Sequence, residues 1–203
     1  PHPGPPPFPG TLSMPQTLIS PPVDEPVSLA EVKDHLRLDD DTDDALVESL
    51  IAAARAHVER VTNRRLMTQE WRLQFDAVRD DGRLDLAVSP VLSVDAVRVY
   101  DRNGTPSVID EAAYEADIVS VPARIAFAEG APRPGRRLGG IEVDVTAGYG
   151  AAAADVPAPL RHAVKMLVAH WYEQRQASTD DAAMVMVPLG FSALVAPYRV
   201  RLI

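Results

Sequence analysis

The sequence contains no cysteine among its 203 residues. This absence excludes disulfides, thiolate zinc sites and cysteine nucleophiles, and it suits a reducing cytoplasm. No apolar stretch approaches the roughly 18 uninterrupted residues that indicate a transmembrane helix. The N-terminus lacks the basic-then-apolar layout of a signal peptide. We therefore expect no contact with a membrane.

Positive charge is scarce, with 20 basic against 29 acidic side chains and a net charge of -9. A surface of that sign repels nucleic acid phosphates over about a Debye length, roughly 8 Å at physiological salt. Sequence-neutral DNA binding normally needs the opposite sign. We therefore expect either that any contact with DNA is confined to a small part of the surface, or that the surface faces DNA without binding it.

The sequence also lacks motifs that carry catalysis or hold a cofactor. It has no nucleophile elbow, Walker loop or dinucleotide fingerprint. The run DDDTDD invites comparison with a calcium loop, with Asp39, Asp41 and Asp43 as the first ligands. The glycine position of such a loop would hold Asp44, and the final bidentate position would hold Leu50. The run therefore favours a solvated helix start, and we expect no enzyme, metal or cofactor.

The histidines do not form a metal pattern. His162 and His170 fall on one predicted helix but are too far apart for the i,i+4 pairing of a helical zinc site. His35 and His57 are isolated within helical stripes, so we interpret them as structural.

The N-terminal segment is dominated by proline, since the first 26 residues hold ten of the 19 prolines. Proline removes amide donors and fixes φ, which predicts an extended, weakly packed arm over residues 1–27. Met14 lies within this arm, and we expect it to be the natural start.

The remaining patterns predict an α+β fold, a small helical bundle with an inserted antiparallel β domain between the second and third helices. Ser28 and Glu31 form a capping box that starts a helical hairpin over residues 28–65, whose second helix runs to about Asn63. Residues 66–150 form the β-rich insertion. Residues 151–197 return as C-terminal helices that complete the helical core, followed by a tail over 198–203.

The insertion is identified by a change of apolar period from helical spacing to two. About five or six short strands separated by turn residues indicate an antiparallel unit with one buried face. The pair Asn103–Gly104 predicts a tight hairpin turn. The alternating residues are Trp71, Leu73 and Phe75; Leu84, Leu86 and Val88; Val97 and Val99; Ile125 and Phe127; and Ile141, Val143 and Val145.

Several segments in this order resemble a known family. They are SLAEVKDHLRLDDDTDDALVESLIAAARAHVERVTNRRL, TQEWRL, VTAGYG, VPAPLRHAVKMLVAHWYEQRQA and VPLGFSALVAPYRV. The pattern is similar to the head–tail connector proteins of long-tailed phages, also called adaptor or head completion proteins, which gene transfer agents also carry. The β insertion is longer than in the smallest, purely helical members.

The resemblance implies a structural protein of a virion or phage-like particle, placed at the head–tail junction after assembly in the bacterial cytoplasm. It implies a ring of copies, commonly dodecameric, beneath the portal protein. The ring would extend the DNA channel, with DNA passing through the lumen without sequence-specific binding. It would also offer a docking surface to a tail-side connector or tail terminator protein.

Three groups of residues are candidates for these contacts. Exposed carboxylates are candidates for the lumen: Asp39, Asp40, Asp41, Asp43, Asp44 and Glu48. The tail alternates apolar residues with arginine, a pattern able either to add a strand to a portal sheet or to pack on its own domain: Tyr198, Arg199, Val200, Arg201, Leu202 and Ile203. A Gly- and Pro-rich stretch, expected to be a flexible hairpin tip, carries Arg133, Arg136 and Arg137.

The arginine loop leaves alternatives open. It can touch DNA or a neighbouring subunit electrostatically, or it can be a solvated surface loop. The first of these supports an alternative function, a DNA-contacting packaging accessory whose binding is sensitive to salt. A third class, an enzyme such as a cell-wall hydrolase, is disfavoured by the absent catalytic motifs.

Overall fold

The computed structural model describes residues 15–174, 187 and 189–200. The fold is α+β, as predicted. The helices are α1 (Leu29–Leu36), α2 (Asp44–Thr62), α3 (Ala158–Gln174) and α4 (Phe191–Val195). The strands are β1 (Gln16–Ser20), β2 (Gln69–Phe75), β3 (Arg83–Leu86), β4 (Val91–Tyr100), β5 (Pro106–Val108), β6 (Tyr114–Asp117), β7 (Ala123–Phe127) and β8 (Ile141–Ala147). No helix in these ranges is long and apolar enough to cross a membrane.

The helices begin and end where local side-chain chemistry predicts. Ser28 accepts a hydrogen bond from the Glu31 amide, and the Glu31 carboxylate accepts one from the Ser28 amide, which completes the predicted capping box at the start of α1. The second helix is followed by Asn63 in the left-handed conformation, close to the predicted end. The apolar stripes of the four helices meet in one cluster that includes Val47, Val58 and Leu167.

The strands form two antiparallel sheets, where the sequence predicts one unit. The five-stranded sheet has the order β1-β2-β8-β4-β5, and the three-stranded sheet has the order β3-β7-β6. Both sheets contribute apolar side chains to a second core, which includes Leu73 and Val143 from the larger sheet and Leu86 and Ile125 from the smaller. Alternation identifies the buried face of each strand, but it carries no information on which sheet a strand joins.

The structure differs from the expected weakly packed arm at residues 16–27. Strand β1 pairs with β2 along one edge of the larger sheet, and Val27 is 1% exposed. The Arg161 guanidinium donates to the Pro26 carbonyl at 3.0 Å. Proline composition does not reveal this packing, because β1 lies between prolines and draws its hydrogen bonds from a strand about 50 residues away.

Candidate functional site

The acidic turn between α1 and α2 is organised by two neighbouring helices. The Lys33 ammonium on α1 lies 2.6 Å from Asp41 and 2.8 Å from Asp44. The hydrogen bonds that Lys33 donates to both carboxylates raise its pKa, and the contact with Lys33 lowers the pKa of Asp41. The Tyr172 hydroxyl on α3 donates to Asp43 at 2.5 Å. Half of the predicted lumen carboxylates therefore have side-chain partners within the fold.

The other three predicted lumen carboxylates are Asp39, Asp40 and Glu48. All three are exposed. The Asp40 carboxylate accepts from the Thr42 amide at 3.0 Å, which fixes the turn. Within the described ranges none of the three makes an ion pair, so no partner in the fold offsets their negative charge.

The arginine loop is packed against the larger sheet, and the expectation of a flexible hairpin tip is wrong. The loop joins β7 of the smaller sheet to β8 of the larger one. The Arg136 guanidinium lies 4.0 Å from the centre of the Tyr100 ring and donates to the Gly139 carbonyl. Gly135 donates its amide to the Tyr100 carbonyl at 2.8 Å.

The loop arginines therefore differ from one another. Arg136 has a structural role in this connection, because its guanidinium stacks on the Tyr100 ring and donates to the Gly139 carbonyl. Arg133 and Arg137 are exposed and make no ion pair with the described residues. Only these two remain as candidates for contact with another molecule.

The described part of the C-terminal tail is bound to the end of α2. The Val200 amide donates to the Thr62 carbonyl at 2.9 Å, and the Asn63 side chain donates to the Val200 carbonyl at 3.2 Å. The Arg64 guanidinium donates to the Tyr198 carbonyl at 2.6 Å. For Tyr198, Arg199 and Val200 these contacts favour packing on the chain's own domain. Arg201, Leu202 and Ile203 lie outside the described residues.

Sequence reasoning missed a buried polar junction between the helices and the larger sheet. Glu59 on α2 is 6% exposed. One carboxylate oxygen accepts from the Leu66 amide at 2.8 Å and from the Gln69 amide group at 3.1 Å. Arg55 ion-pairs with both Glu59 and Glu25. Burial raises the pKa of Glu59, against the hydrogen bond from Leu66 and the charge of Arg55.

A second polar network, also missed, crosses the face of the larger sheet opposite its buried valines. The Asp144 carboxylate on β8 accepts from Arg72 on β2 at 2.7 Å and from Arg98 on β4 at 2.6 Å. The Tyr100 hydroxyl donates to Glu142 at 2.6 Å. The alternation of Glu142 and Asp144 with buried valines marks these positions as outward-facing, which is the available sequence signal. Their cross-strand partners become visible only with the register.

The histidines pack as structural residues. The His57 ring lies 6.0 Å from Trp171 and 5.6 Å from Phe191 between ring centres. The rings of His35 and His162 are 6.3 Å apart. The described residues contain no group of three or more histidine, aspartate or glutamate side chains placed to hold a metal ion.

Comparison with solved structures places similar chains in one kind of particle. A chain from the neck of an empty gene transfer agent (GTA) particle, computed with C6 symmetry, is 30% identical, with a TM-score of 0.75 over 94% of this chain and 97% of that one. A chain from the virion of a native GTA particle is 29% identical, with a TM-score of 0.73 over 93% and 96%. A chain from the neck of a native GTA particle, computed with C12 symmetry, is 30% identical, with a TM-score of 0.69 over 92% and 97%.

No curated protein matches the chain. The head completion protein family matches residues 25–184, which include every described helix except α4 and every strand except β1. This match covers the capping box, the acidic turn, the polar junction, the smaller sheet and the larger sheet without β1. The chain belongs to the head completion protein family.

Proposed function

We propose that this chain is a head–tail connector subunit that forms a ring beneath the portal, extends the DNA channel and offers the tail its docking surface. The observation that carries the proposal is the similarity to GTA neck chains over 94% of this chain. A head completion protein is a structural component of the virion at the head–tail junction and not an enzyme, in agreement with the sequence prediction.

Ring formation is supported by the symmetry of the similar structures. Necks computed with C6 and C12 symmetry contain copies related by rotation about one axis. A closed ring needs two different side surfaces on each subunit, which meet head to tail. We propose a dodecamer on the basis of the C12 neck.

We also propose that the helical core and the β core have different roles. The helices of residues 28–65 and 151–197 would form the connector core, with residues 66–150 as an inserted β unit. Support comes from the separate apolar clusters of the helices and the sheets. Strand β1 precedes the helices in sequence but pairs with β2 of the larger sheet. The β unit therefore also includes a strand that lies before α1 in the chain.

For the lumen we propose the surface that carries Asp39, Asp40 and Glu48. Their unpaired carboxylates would repel DNA phosphates over about a Debye length, roughly 8 Å. The charge-reversed double variant Asp39→Lys/Asp40→Lys should assemble and then package or eject DNA more slowly. Lys33→Met, which removes a cation from the neighbouring helix α1, is the matched control. Normal DNA transfer by the double variant would contradict the lumen assignment.

For portal attachment we propose residues 201–203, with the preceding residues anchoring them to α2. Deletion of residues 201–203 should leave a folded protein that no longer decorates portals. Deletion of residues 198–203 should in addition destabilise the fold, because Val200 is 6% exposed and hydrogen-bonded to α2. A protein without residues 201–203 that decorates portals normally would remove this proposal.

The test of the main proposal is electron microscopy of the purified protein mixed with its cognate portal, against each alone. A ring stacked on the narrow end of the portal is the expected result. A protein that ignores the portal would overturn the proposal and favour the DNA-contacting accessory, which would use Arg133 and Arg137. Gel shifts with DNA at several salt concentrations measure that alternative directly, because phosphate contacts weaken steeply with salt.

A further inference from the structure

The hairpin between β6 and β7 presents an exposed apolar tip, residues 118–121. Ile118 is 38% exposed, Val119 is 90% exposed and Val121 is 51% exposed. The apolar residues that the smaller sheet needs for its own core, such as Ile125, are already buried. The tip therefore exposes three aliphatic side chains that are not part of the core of the smaller sheet.

The tip is held in one conformation by the aspartate at its base. The Asp117 carboxylate accepts from the Ser120 amide at 3.0 Å and from the Ser120 hydroxyl at 2.7 Å. It also accepts from the Arg124 guanidinium at 2.9 Å. Such a tip loses little conformational freedom on binding, which is what a docking element requires.

A groove with an apolar floor lies elsewhere on the chain, between the segment that precedes α1, the first half of α2 and the turn after β8. Its volume is about 600 Å³. The floor contains Val27, Leu29, Ile51 and the residues 151–153. Val23 at its mouth is 96% exposed. The groove and the hairpin tip belong to different parts of the fold, since one borders the helical core and the other extends from the smaller sheet.

We propose that the hairpin tip of one subunit docks in this groove on the adjacent copy of the chain. The inference rests on the proposed ring and names the two surfaces that close it. A heterologous contact needs two different and complementary patches on one chain. The aliphatic tip and the apolar-floored groove are such a pair, and the C6 and C12 symmetry of the similar necks makes a second copy the occupant.

The charges around the two patches are compatible with this contact. Of the groove carboxylates, Glu25 is paired with Arg55 and Glu31 with Arg161, whereas Asp24 and Glu48 make no ion pair among the described residues. On the hairpin side, Arg124 is paired with Asp117.

Next to the hairpin, Arg83 on β3 makes no ion pair with the described residues, and its positive charge is balanced by the negative charge of Glu115 on β6. In the proposed contact, the negatively charged rim of the groove would therefore face a hairpin surface that has no net negative charge.

The absence of cysteine makes a direct test possible, because the introduced thiols are the only thiols in the chain that a crosslinker can modify. The double variant Val119→Cys/Ala152→Cys places one thiol on the tip and one in the groove, on two exposed side chains. It is assembled on the cognate portal and treated with a short bis-maleimide. We expect a ladder of covalent oligomers on a denaturing gel. Val108→Cys/Ala152→Cys, which uses a 69% exposed valine on β5, is the matched control and should give no ladder.

A second measurement uses assembly itself. Val119→Asp should lower the number of portals that carry a ring at least tenfold, and Val108→Asp should leave it unchanged. Circular dichroism checks that both variants are folded. The inference would be overturned, and the connector function kept, if wild-type rings form on portals while Val119 crosslinks to the portal or to nothing. Absence of wild-type rings would overturn both.

Discussion

Glu59 is the residue on which the connection between the helices and the larger sheet depends most. Its side chain is 6% exposed and satisfies the Leu66 amide and the Gln69 side chain, besides its ion pair with Arg55. The change Glu59→Ala leaves these donors buried and unpaired. Each unsatisfied buried donor costs about 1–3 kcal/mol, whereas Arg55 keeps its ion pair with Glu25 at 2.7 Å.

We expect Glu59→Ala to lower the free energy of unfolding by about 3–5 kcal/mol, a large part of the roughly 5–15 kcal/mol of a typical domain. Glu59→Gln is the matched control. It retains an acceptor oxygen for Leu66 but replaces the carboxylate oxygen that accepts from Arg55 by an amide donor, so we expect a loss of about 1–2 kcal/mol. Urea unfolding followed by circular dichroism, at several protein concentrations, separates the intrinsic effect from loss of assembly.

The pH dependence gives an independent check on the same residue. Because burial raises the pKa of Glu59 above its ordinary 4.5, the folded protein holds this proton more tightly than the unfolded chain does. Its contribution to stability is thus largest below pH 4.5 and declines as the pH rises through the folded pKa. The difference between wild type and Glu59→Gln isolates this slope. Two results together would refute the reasoning. They are a Glu59→Ala protein whose free energy of unfolding lies within about 1 kcal/mol of wild type, and a stability difference between wild type and Glu59→Gln that does not change with pH.

Three further changes test separate parts of the structure. Asp144→Asn should lower the free energy of unfolding by about 1–3 kcal/mol at neutral pH, because two arginines lose their shared carboxylate. The difference from wild type should shrink as the pH falls below 3.8, since the partners lower the pKa of Asp144; a difference that is constant with pH would contradict this. The hydrogen bonds of the hairpin lower the pKa of Asp117 to about 2, so its carboxyl should titrate there by NMR, and the stability it adds above pH 3.8 should be lost towards pH 2. A midpoint near 3.8 would show that the tip is not ordered. Gly148→Ala should destabilise by more than about 1 kcal/mol, because φ is +139° and an added methyl would lie 2.4 Å from a backbone carbonyl. Gly104→Ala, at φ +85° with nothing within 4 Å, should cost less in the same urea titration.

The helices are the part of the fold that the sequence predicts best. The capping box at Ser28 and the end of α2 near Asn63 follow from chemistry within a few residues of each position. The strands with clean alternation, such as β2 and β8, are also predicted. Strands β1 and β6 are not, because their residues are largely exposed and show no clear alternation of buried apolar residues.

The candidate sites were harder to predict, because charge in a sequence does not reveal its partners. Arg136 has the same sequence context as Arg133 and Arg137, yet it stacks on Tyr100 and is unavailable to another molecule. Glu59 occupies a helix position where an exposed carboxylate is the ordinary expectation, and only the tertiary contacts with Leu66 and Gln69 bury it.

The acidic turn shows what such partners change for a functional assignment. The single positive charge of Lys33 is shared by two carboxylates and the Tyr172 hydroxyl donates to a third, so the field of this surface is weaker than its sequence suggests. Asp39, Asp40 and Glu48 make no ion pair among the described residues. They divide between two proposed roles, because Glu48 also lines the groove. If the hairpin tip of a neighbour fills that groove, Glu48 lies at the subunit contact, and the lumen charge falls to Asp39 and Asp40 alone. Reversal of those two charges should then alter DNA transfer without altering ring formation, whereas Glu48→Lys should alter ring formation first.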